Sequence, residues 1–450
     1  MRPKSHENEP EGVATSFQRP RGTRDYLPED MRIRRRVTEA FRRVFELYGY
    51  GEVLTPAFEH LELLEAKAGP EVREQIYWFV DKGGRKLGLR FELTTPIARV
   101  VASRPELPKP VRLYYIAPVW RYEEPQRGRL REFWHAGVEL IGSRYVDADA
   151  EVVAVMYRAL REAGLRSVVI RLSDRGIAEG LADRVGVEPS RRDDFFRAID
   201  KLSKVGEEGV LELLARLGLT REQSELVLTF VTMGGSNEER LDEASRELRS
   251  EAALAAVERV RELIELLVDG YGVPEESLEV DFSIVRGLAY YTSLVYEAVV
   301  PERADVGSVA GGGRYDNLVR LVGGPELPAT GMAIGVERVV ETLSEPGEAR
   351  GDWRRVVIVA PASRELYRDA VRVAELLRSS GVSAQCDVMH RRLRAIMEHA
   401  DRLRATYVVI VGARELSAGA VTVKDMRSGE QRVVKISELA SHLKRALAGS

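Results

Sequence analysis

The amino-acid sequence predicts an α+β domain that a helical insertion interrupts and that a small α/β domain follows. Changes of pattern along the 450 residues support this division. Residues 19–170 mix amphipathic-helix and strand patterns, whereas residues 173–269 have helical periodicity and almost no strand pattern. Strands and glycine-rich turns return at residues 278–343, so the insertion divides a single domain, and residues 354–450 alternate strand with helix.

The domain boundaries follow from these patterns. The first 17 residues are polar, and we expect them to form a disordered tail. The first domain is expected to span residues 18–343, with the helical insertion at about residues 173–269. A hydrophilic linker at residues 344–352 then leads to the second domain at residues 353–450.

In the first domain, apolar residues at helical spacing predict an amphipathic helix over residues 30–47. The three consecutive glycines Gly311, Gly312 and Gly313 are expected to form a turn. The other predicted elements are strands at residues 76–80, 87–92, 111–122, 133–141, 168–172, 279–284 and 293–300 and helices at residues 149–163 and about 333–343. The predicted helices of the insertion are residues 195–205, 209–217 and 241–267.

The second domain is predicted to be of the βαβαβ type, because strand and helix patterns alternate regularly. Its predicted strands are residues 355–360, 383–388, 407–411, 420–424 and 431–435, the last two forming a hairpin. Its predicted helices are residues 363–380, 392–404 and 436–447.

The composition excludes several classes of protein. With 44% hydrophobic and 31% charged residues, the chain is neither disordered nor collagen-like. The single cysteine, Cys386, excludes an internal disulfide and a cysteine-based zinc cluster and suits a reducing cytoplasm. No apolar run approaches the roughly 20 residues that cross a bilayer, so we expect a cytoplasmic protein with no membrane partner.

The charged residues indicate a binding partner less clearly than the composition excludes protein classes. The net charge of −3 provides no argument for a nucleic-acid partner. Of the 68 basic residues, however, 58 are arginine, which binds carboxylates and phosphates with two parallel hydrogen bonds. A GC-rich genome or a hot habitat produces the same bias.

The most informative segment is residues 120–133, in which four arginines lie between two strand-like runs. Because side chains alternate along a strand, Arg121 and Glu123 share one face, as do His135 and Glu139 on the returning strand. Whether both pairs share the same face depends on the register of the hairpin. A surface hairpin with a solvated, charged tip would explain the same residues.

Three later segments, residues 285–292, 310–316 and 331–338, combine arginine, tyrosine and glycine in ways that suit a polar ligand. Each has an ordinary alternative: an Arg–Tyr packing cluster, a tight turn and a helix-packing site, respectively. The sequence contains no P-loop, no GxSxG motif and no HExxH motif. Since the six histidines are scattered, no metal-ligand set is predicted, and any phosphate binding must rest on arginines.

Together these segments resemble class II aminoacyl-tRNA synthetases, and within that class the histidyl-tRNA synthetases. The resemblance extends from about Gln18 to the C-terminus and implies an antiparallel catalytic sheet and an anticodon-binding second domain. The matching segments are residues 19–25, residues 48–58 with Pro56 as motif 1, residues 120–133 as motif 2, residues 331–338 as motif 3, and residues 285–292 and 310–315, which resemble segments peculiar to the histidine enzymes.

The resemblance implies a two-step reaction. ATP activates L-histidine as histidyl-adenylate, and the histidyl group then moves to the 3′ end of tRNA(His). Attack on the α-phosphorus needs positive charge and alignment more than a general base. By resemblance, Arg121 and Arg286 act at the α-phosphate and Arg338 near the adenine and the γ-phosphate. Glu123 would contact the adenine, and Mg²⁺ is expected with the β- and γ-phosphates.

The resemblance also implies a pocket for histidine. In it, Glu92 and Thr94 would hold the α-ammonium group, and Glu139 and Tyr291 would pair with the two imidazole nitrogens. Its remaining members would be Tyr290, Tyr315 and His135. At position 135 the family usually has glutamine, so the reach and tautomer of this ammonium contact differ, and a packed core histidine is the alternative.

The resemblance further implies the partners. Arg127, Arg129 and Arg131 would contact the phosphates of the tRNA acceptor end, and motif 1 would form a homodimer. Two alternatives compete with the ligase: a non-catalytic regulatory subunit of ATP phosphoribosyltransferase in histidine biosynthesis, and a tRNA-binding protein without ligase activity. Regulatory subunits typically lack the C-terminal domain and part of the arginine set, both of which are present here.

Overall fold

The computed structural model describes residues 17–66, 73–124, 130–285, 291–344 and 356–448. The chain forms two compact units, Met1–Pro346 and Gly347–Ser450, and the division falls inside the hydrophilic stretch at residues 344–352. Residues 1–16, most of the expected disordered tail, lie outside the described residues. Across the described ranges, no helix has both the length and the apolar composition needed to cross a membrane.

The first unit contains an eight-stranded and a three-stranded sheet. Its strands are β1 (Gly51–Glu52), β2 (Phe58–His60), β3 (Trp78–Val80), β4 (Lys86–Leu89), β5 (Val111–Trp120), β6 (Glu132–Ile141), β7 (Val169–Asp174), β8 (Leu278–Val280), β9 (Leu294–Val299), β10 (Ala310–Arg314) and β11 (Ala329–Gly335). The strand orders are β1-β5-β6-β11-β10-β9-β7-β8 and β2-β4-β3. Neighbours in the large sheet are antiparallel except for β1–β5 and β7–β8. The predicted α+β fold with an antiparallel sheet is confirmed.

The helices of the first unit include the predicted ones and others, such as those at residues 61–65, 94–102, 175–184 and 318–321, that were not predicted. They are α1 (Pro28–Leu47), α2 (Leu61–Glu65), α3 (Thr94–Ala102), α4 (Val146–Glu162), α5 (Arg175–Arg184), α6 (Arg192–Asp200), α7 (Leu202–Arg216), α8 (Arg221–Val231), α9 (Asn237–Glu247), α10 (Glu251–Glu265), α11 (Leu318–Leu321) and α12 (Val336–Leu343). The helix α1 begins with a proline and has acidic residues in its first turn, as helix N-termini favour.

The insertion differs from its sequence prediction in how it is divided. The helix expected over residues 241–267 is two helices, α9 and α10, because Ser250 caps the second one by accepting the backbone N–H of Ala253 at 3.2 Å. The helix α8 was not predicted, although Thr220 and Gln223 form a capping box at its start.

Side-chain alternation divides the eight-stranded sheet into a packed face and an open face. On the packed face, Ala136 and Val138 of β6 and Ile334 of β11 are fully buried in one hydrophobic core with residues of α1 and α4. The intervening, odd-numbered residues of these strands point to the opposite face. On this second face, α3 and α11 pack against part of the sheet in another core, and the remaining part is available to ligands.

The turn expected at Gly311, Gly312 and Gly313 is wrong, because these residues lie inside the buried strand β10. Their role is close packing between neighbouring strands. A β-carbon on Gly312 would lie 2.1 Å from the carbonyl oxygen of Gly331, and one on Gly313 would lie 2.6 Å from that of Leu294. No larger residue fits at these positions without displacing the adjacent backbone.

The second unit has one five-stranded sheet. Its elements are β12 (Val357–Pro361), α13 (Tyr367–Ser379), β13 (Ala384–Cys386), α14 (Leu393–Arg402), β14 (Tyr407–Val411), α15 (Ala413–Ser417), β15 (Ala420–Asp425), β16 (Gln431–Lys435) and α16 (Ile436–Ala448). The strand order is β13-β12-β14-β15-β16, in which β13, β12 and β14 are parallel. The predicted alternation is observed, and α15 is a short additional helix.

Candidate active site

The structure shows the register between strands β5 and β6 of the hairpin, which the sequence did not determine. Ala117 lies opposite His135, and Arg121 donates its backbone N–H to the carbonyl of Arg131 at 2.9 Å, which continues the same pairing. Residues opposite each other on antiparallel strands point to the same face. Arg121, His135 and Glu139 therefore share the open face of the sheet.

Around these side chains, the open face is made largely of glycine. The small residues at its centre are Gly137 on β6, Gly311 and Gly313 on β10, and Gly331, Ala333 and Gly335 on β11. A β-carbon on Gly331 would lie 1.9 Å from a carboxylate oxygen of Glu139. Tyr115 and Tyr291 fill the space over Gly137 and Gly313, and Glu139 fills it over Gly331. The glycine floor open to a ligand is therefore Gly311, Ala333 and Gly335, which line the cleft and let a planar group lie close to the backbone.

A cleft of about 1190 Å³ lies over this floor. Its lining includes the sequence-predicted residues Glu92, Thr94, Arg121, Glu123, His135, Tyr291, Tyr315 and Arg338. Side chains that are far apart in the chain are therefore brought together. This volume exceeds the roughly 300–1,000 Å³ of typical ligand pockets, so the cleft has room for a nucleotide and a second small substrate.

One part of the cleft is positively charged. Arg121 donates through Nε to the carbonyl of Phe91 at 3.1 Å, and Arg338 donates through Nη1 to the carbonyl of Ser308. Burial lowers the pKa of His135 well below its usual value, and the positive charges of Arg121 and Arg338 lower it further. Both guanidinium groups therefore act on one imidazole, which is neutral at pH 7.

His135 lies between these arginines with an unsatisfied ring nitrogen. Its Nδ1 is buried and has no hydrogen-bond partner, and its ring packs against Phe133 with centroids 5.1 Å apart. A buried polar atom without a partner is costly, and a ligand that supplies the partner removes that cost. His135 lines the cleft, which favours a ligand contact over a purely structural histidine.

The other part of the cleft is negatively charged. Glu139 is only 1% exposed, accepts the hydroxyl of Thr94 at 2.8 Å and accepts the hydroxyl of Tyr315. Glu92 accepts the backbone N–H of Thr95 at 3.0 Å. Burial raises the pKa of Tyr115 well above its usual value, and the fields of Glu139 and Glu92 raise it further. The cleft therefore has an anionic part, formed by the buried Glu139 and the half-buried Glu92, and a cationic part.

Some predicted residues lie elsewhere. Glu139 supports the cleft from below through Thr94 and Tyr315 and is not among the lining side chains. Arg131 donates to the carbonyl of Glu123 at 2.9 Å, and its guanidinium carbon lies 4.2 Å from the ring centroid of Tyr122. The predicted residues Arg127, Arg129, Arg286 and Tyr290 are outside the described residues.

The sequence analysis missed two residues of the site. Tyr115 alternates in phase with Arg121 on β5, a signal that could have identified it. Glu337 accepts the backbone N–H of Trp134 at 2.8 Å, the hydroxyl of Tyr26 at 3.3 Å and the guanidinium of Arg34. Glu337 thereby connects α1 and β6 to the helix that carries Arg338. The partners are far apart in the sequence, and no local sequence pattern indicates the contact.

The comparisons with known proteins give a consistent result. The family model described as histidyl-tRNA synthetase matches residues 22–339, and that described as anticodon binding domain matches residues 356–446. The histidine–tRNA ligase of Pyrococcus furiosus is 42% identical over 439 residues, covering 96% of this chain and 99% of that protein. The histidine–tRNA ligase of Thermococcus kodakarensis is 43% identical over 423 residues, covering 92% and 95%, respectively. The crystal structure of histidyl-tRNA synthetase from Nostoc sp. PCC 7120 superimposes on this structure with a TM-score of 0.81. The two sequences are 28% identical, and the alignment covers 96% of this chain and 100% of that chain.

Proposed function

Because the chain belongs to the histidyl-tRNA synthetase family and is a histidine–tRNA ligase of class II, we propose how its own residues carry out the reaction. Its partners are accordingly tRNA, histidine and ATP. The alternative of a regulatory subunit in histidine biosynthesis is not favoured, since relatives about 40% identical over nearly the whole chain are histidine–tRNA ligases.

The observation that supports the proposal best is the charge polarity of the cleft. Histidine carries an ammonium group and a carboxylate on adjacent atoms, and ATP carries the phosphates that this carboxylate attacks. In our proposal the ammonium group binds at Glu92 and Thr94, and the carboxylate and the α-phosphate lie toward Arg121 and Arg338. The two ends of the cleft would thus hold the histidine carboxylate and the α-phosphorus of ATP in line before the bond between them forms.

The arginines neutralise charge during adenylate formation. Arg121 and Arg286 bind the α-phosphate, where negative charge builds up, and Arg338 binds near the adenine and the γ-phosphate. Ile284 and Tyr291, on either side of the segment that contains Arg286, line the cleft, which supports this placement. Glu123 contacts the adenine, which lies on the glycine floor.

Selection of histidine rests on the buried hydrogen-bond network. In our proposal Glu139 and Tyr291 pair with the two imidazole nitrogens, while Tyr290, Tyr315 and His135 complete the pocket. A site that must pair both nitrogens rejects apolar side chains, because its buried partners would remain unsatisfied. Thr94 and Tyr315 hold the Glu139 carboxylate in position. Substrate binding therefore costs little conformational entropy at this side chain.

Magnesium is proposed to enter as part of the nucleotide substrate. Within the described ranges, no group of three or more His, Cys, Asp or Glu side chains could hold a metal ion. Mg²⁺ prefers phosphate oxygens together with one or two carboxylates, and Glu123 and Glu297 line the same cleft as the arginines. The proposed nucleotide substrate is therefore MgATP, with the ion on the β- and γ-phosphates.

The tRNA acceptor end is proposed to lie along the motif 2 loop, where Arg127, Arg129 and Arg131 contact its phosphates. The aminoacylation reaction is proposed to take place in the cytoplasm, where tRNA is present and reducing conditions keep Cys386 a free thiol, as the structure has it.

A homodimer is proposed to form through the small sheet that follows the motif 1 segment. Phe58, Trp78, Phe79 and Val80 of this sheet are 43–56% exposed, an apolar cluster that suits a protein interface. Light scattering should give about twice the chain mass of 50.4 kDa. A monomer at micromolar concentration would contradict the proposal.

The proposed function is tested by pyrophosphate exchange with each of the twenty amino acids. Exchange should require ATP, Mg²⁺ and histidine, and the other amino acids should give background rates. Exchange with a different amino acid would show that the pocket is misassigned, and absence of exchange with every amino acid would refute the proposed chemistry.

A further inference from the structure

Arg90 carries a buried positive charge that the proposed reaction does not use. The residue is 2% exposed, and it is not among the residues that line the cleft. Within the described ranges, the hydrogen bonds of its guanidinium all go to uncharged oxygen atoms. Burial lowers the pKa of Arg90, and Glu59, whose charge raises this pKa in part, is itself paired with Arg99 at 2.7 Å. Because burying a charge is costly, the contacts that hold Arg90 must offset that cost.

The guanidinium of Arg90 joins the motif 1 segment to the end of β5. Through Nη1 it donates to the carbonyl of Pro56 at 3.1 Å and to the carbonyl and the hydroxyl of Thr55. Through Nε it donates to the carbonyl of Pro118 on β5 at 3.0 Å. The planar guanidinium presents donors in several fixed directions, whereas a lysine has a single nitrogen. One rigid side chain therefore sets the distance between the two segments.

The backbone of Arg90 binds the same two segments. Its N–H donates to the carbonyl of Ala57 at 3.0 Å, and its carbonyl accepts the N–H of Trp120 at 3.1 Å. Trp120 is the last residue of β5 and precedes Arg121. Arg90 is thus held at its backbone and at its side chain, between the motif 1 segment and the strand that leads to Arg121. Its backbone therefore has little freedom to shift within the fold.

The two residues that follow Arg90 reach the cleft. The carbonyl of Phe91 accepts a hydrogen bond from Nε of Arg121 at 3.1 Å. Glu92 lines the cleft and accepts the backbone N–H of Thr95 at 3.0 Å. Adjacent Cα atoms are about 3.8 Å apart, so a shift at Arg90 is passed directly to both residues. The position of Arg90 therefore controls the Glu92 carboxylate and the carbonyl that orients Arg121.

We infer that Arg90 is a positioning residue, which holds Glu92 where the α-ammonium group of histidine binds and orients Arg121 toward the α-phosphate. Arg90 touches no substrate and acts through Phe91 and Glu92. The inference rests on the proposed roles of Glu92 and Arg121. Displacement of a binding group by about 1 Å can lower a rate by about a hundredfold, so supporting contacts of this kind decide how well a site works.

The test compares two ligands that differ only in the ammonium group: L-histidinol and its analogue without the amine, imidazolepropanol. Both lack the carboxylate of histidine, so neither depends on Arg121. Arg90→Met replaces the guanidinium with an apolar side chain that donates no hydrogen bond. It should raise the Kd of histidinol by roughly tenfold and leave that of imidazolepropanol within about twofold, because Glu92 contacts only the ammonium group. Calorimetry on the full-length chain measures both constants.

Further measurements separate positioning from a general loss of stability. Arg90→Met should lower the kcat of pyrophosphate exchange by roughly tenfold or more, since Arg121 is no longer oriented. Arg90→Lys keeps the charge but cannot donate to both segments, so it should raise the Kd of histidinol by roughly fivefold and spare imidazolepropanol. This variant decides the test if Arg90→Met does not fold. The control Arg259→Met breaks two contacts of 3.0 Å with Asp174 in the insertion and should not distinguish the ligands.

Glu92→Ala, measured beside these variants, distinguishes failure of the inference from failure of the proposed function. If Glu92→Ala weakens the binding of histidinol alone, whereas the Arg90 variants weaken both ligands equally or not at all, only the inference is overturned. A normal kcat in both Arg90 variants would overturn its claim about Arg121. If Glu92→Ala does not separate the two ligands, the proposed ammonium site is wrong, and if the wild type shows no exchange with histidine, the proposed function itself fails.

Discussion

The two large sheets of this protein are covered by helices to different extents. In the first unit, α1 and α4 pack on one face of the eight-stranded sheet, whereas α3 and α11 cover only part of the other face, which also holds a cleft lined by residues of the strands. In the second unit, α13 and α16 pack on one face of the central strands and α14 on the other. Helix placement therefore decides whether part of a sheet face remains open to ligands.

This difference determines the physical setting of the residues in the cleft. Residues of the open face, such as Glu139, are buried and held by neighbouring strands, so their charges act in a medium of low polarity. Residues of the second unit such as Met389 are instead exposed on a loop. We therefore expect substitutions in the cleft to have large and mutually dependent effects, and substitutions at exposed positions of the second unit to have small and independent ones.

The largest expected effect in the face site is that of Arg286→Ala. If this arginine neutralises charge that develops at the α-phosphate, its loss should slow adenylate formation by about a hundredfold or more. Pyrophosphate exchange measures this rate. Arg372→Ala, at an exposed arginine of the second unit, is the matched control and should exchange normally. A near-normal rate in Arg286→Ala would remove this residue from the catalytic set.

Glu139→Ala should raise the KM for histidine by roughly thirtyfold, with a smaller effect on ATP. The substitution removes a buried acceptor and leaves the hydroxyls of Thr94 and Tyr315 without their partner. The two KM values in pyrophosphate exchange separate the effects, with Glu375→Ala in the second unit as the control. Equal effects on histidine and ATP would contradict the assignment of Glu139 to the histidine pocket.

Gly331→Ala should raise the KM for histidine by about tenfold. The added methyl would lie 1.9 Å from Glu139 and 2.8 Å from the carbonyl of Val138, so the carboxylate must move. Gly234→Ala, where a β-carbon meets nothing within 4 Å, is the control. Normal kinetics in Gly331→Ala would show that the floor does not position Glu139.

The smallest effect is a pH dependence of stability from His135. Because burial and two arginines lower its pKa in the folded state, protonation below the unfolded pKa of about 6.5 favours unfolding. The stability of the wild type should therefore fall relative to His135→Gln as pH decreases, by about 1 kcal/mol between pH 8 and pH 5.8. Denaturant unfolding at both pH values measures the difference, and parallel curves for the two proteins would contradict a lowered pKa.

Much of the site could be predicted from the sequence. The alternation of β5 and β6 indicated which residues share a face, and the resemblance to a known family supplied the roles. The assignments of Arg127, Arg129, Arg286 and Tyr290 remain predictions, because they lie outside the described residues. The link from Arg34 to Glu337 could not be predicted, since nothing near either residue in the chain indicates its partner.

The sequence by itself determined the order of elements, the family and the face that each side chain takes on its own strand. Local spacing encodes these properties, because backbone geometry is repetitive. The tertiary structure decided which strands are neighbours: it placed Arg121, His135 and Glu139 on one face and turned an expected glycine turn into a central strand. Register and strand order depend on packing between distant segments, which no local pattern records.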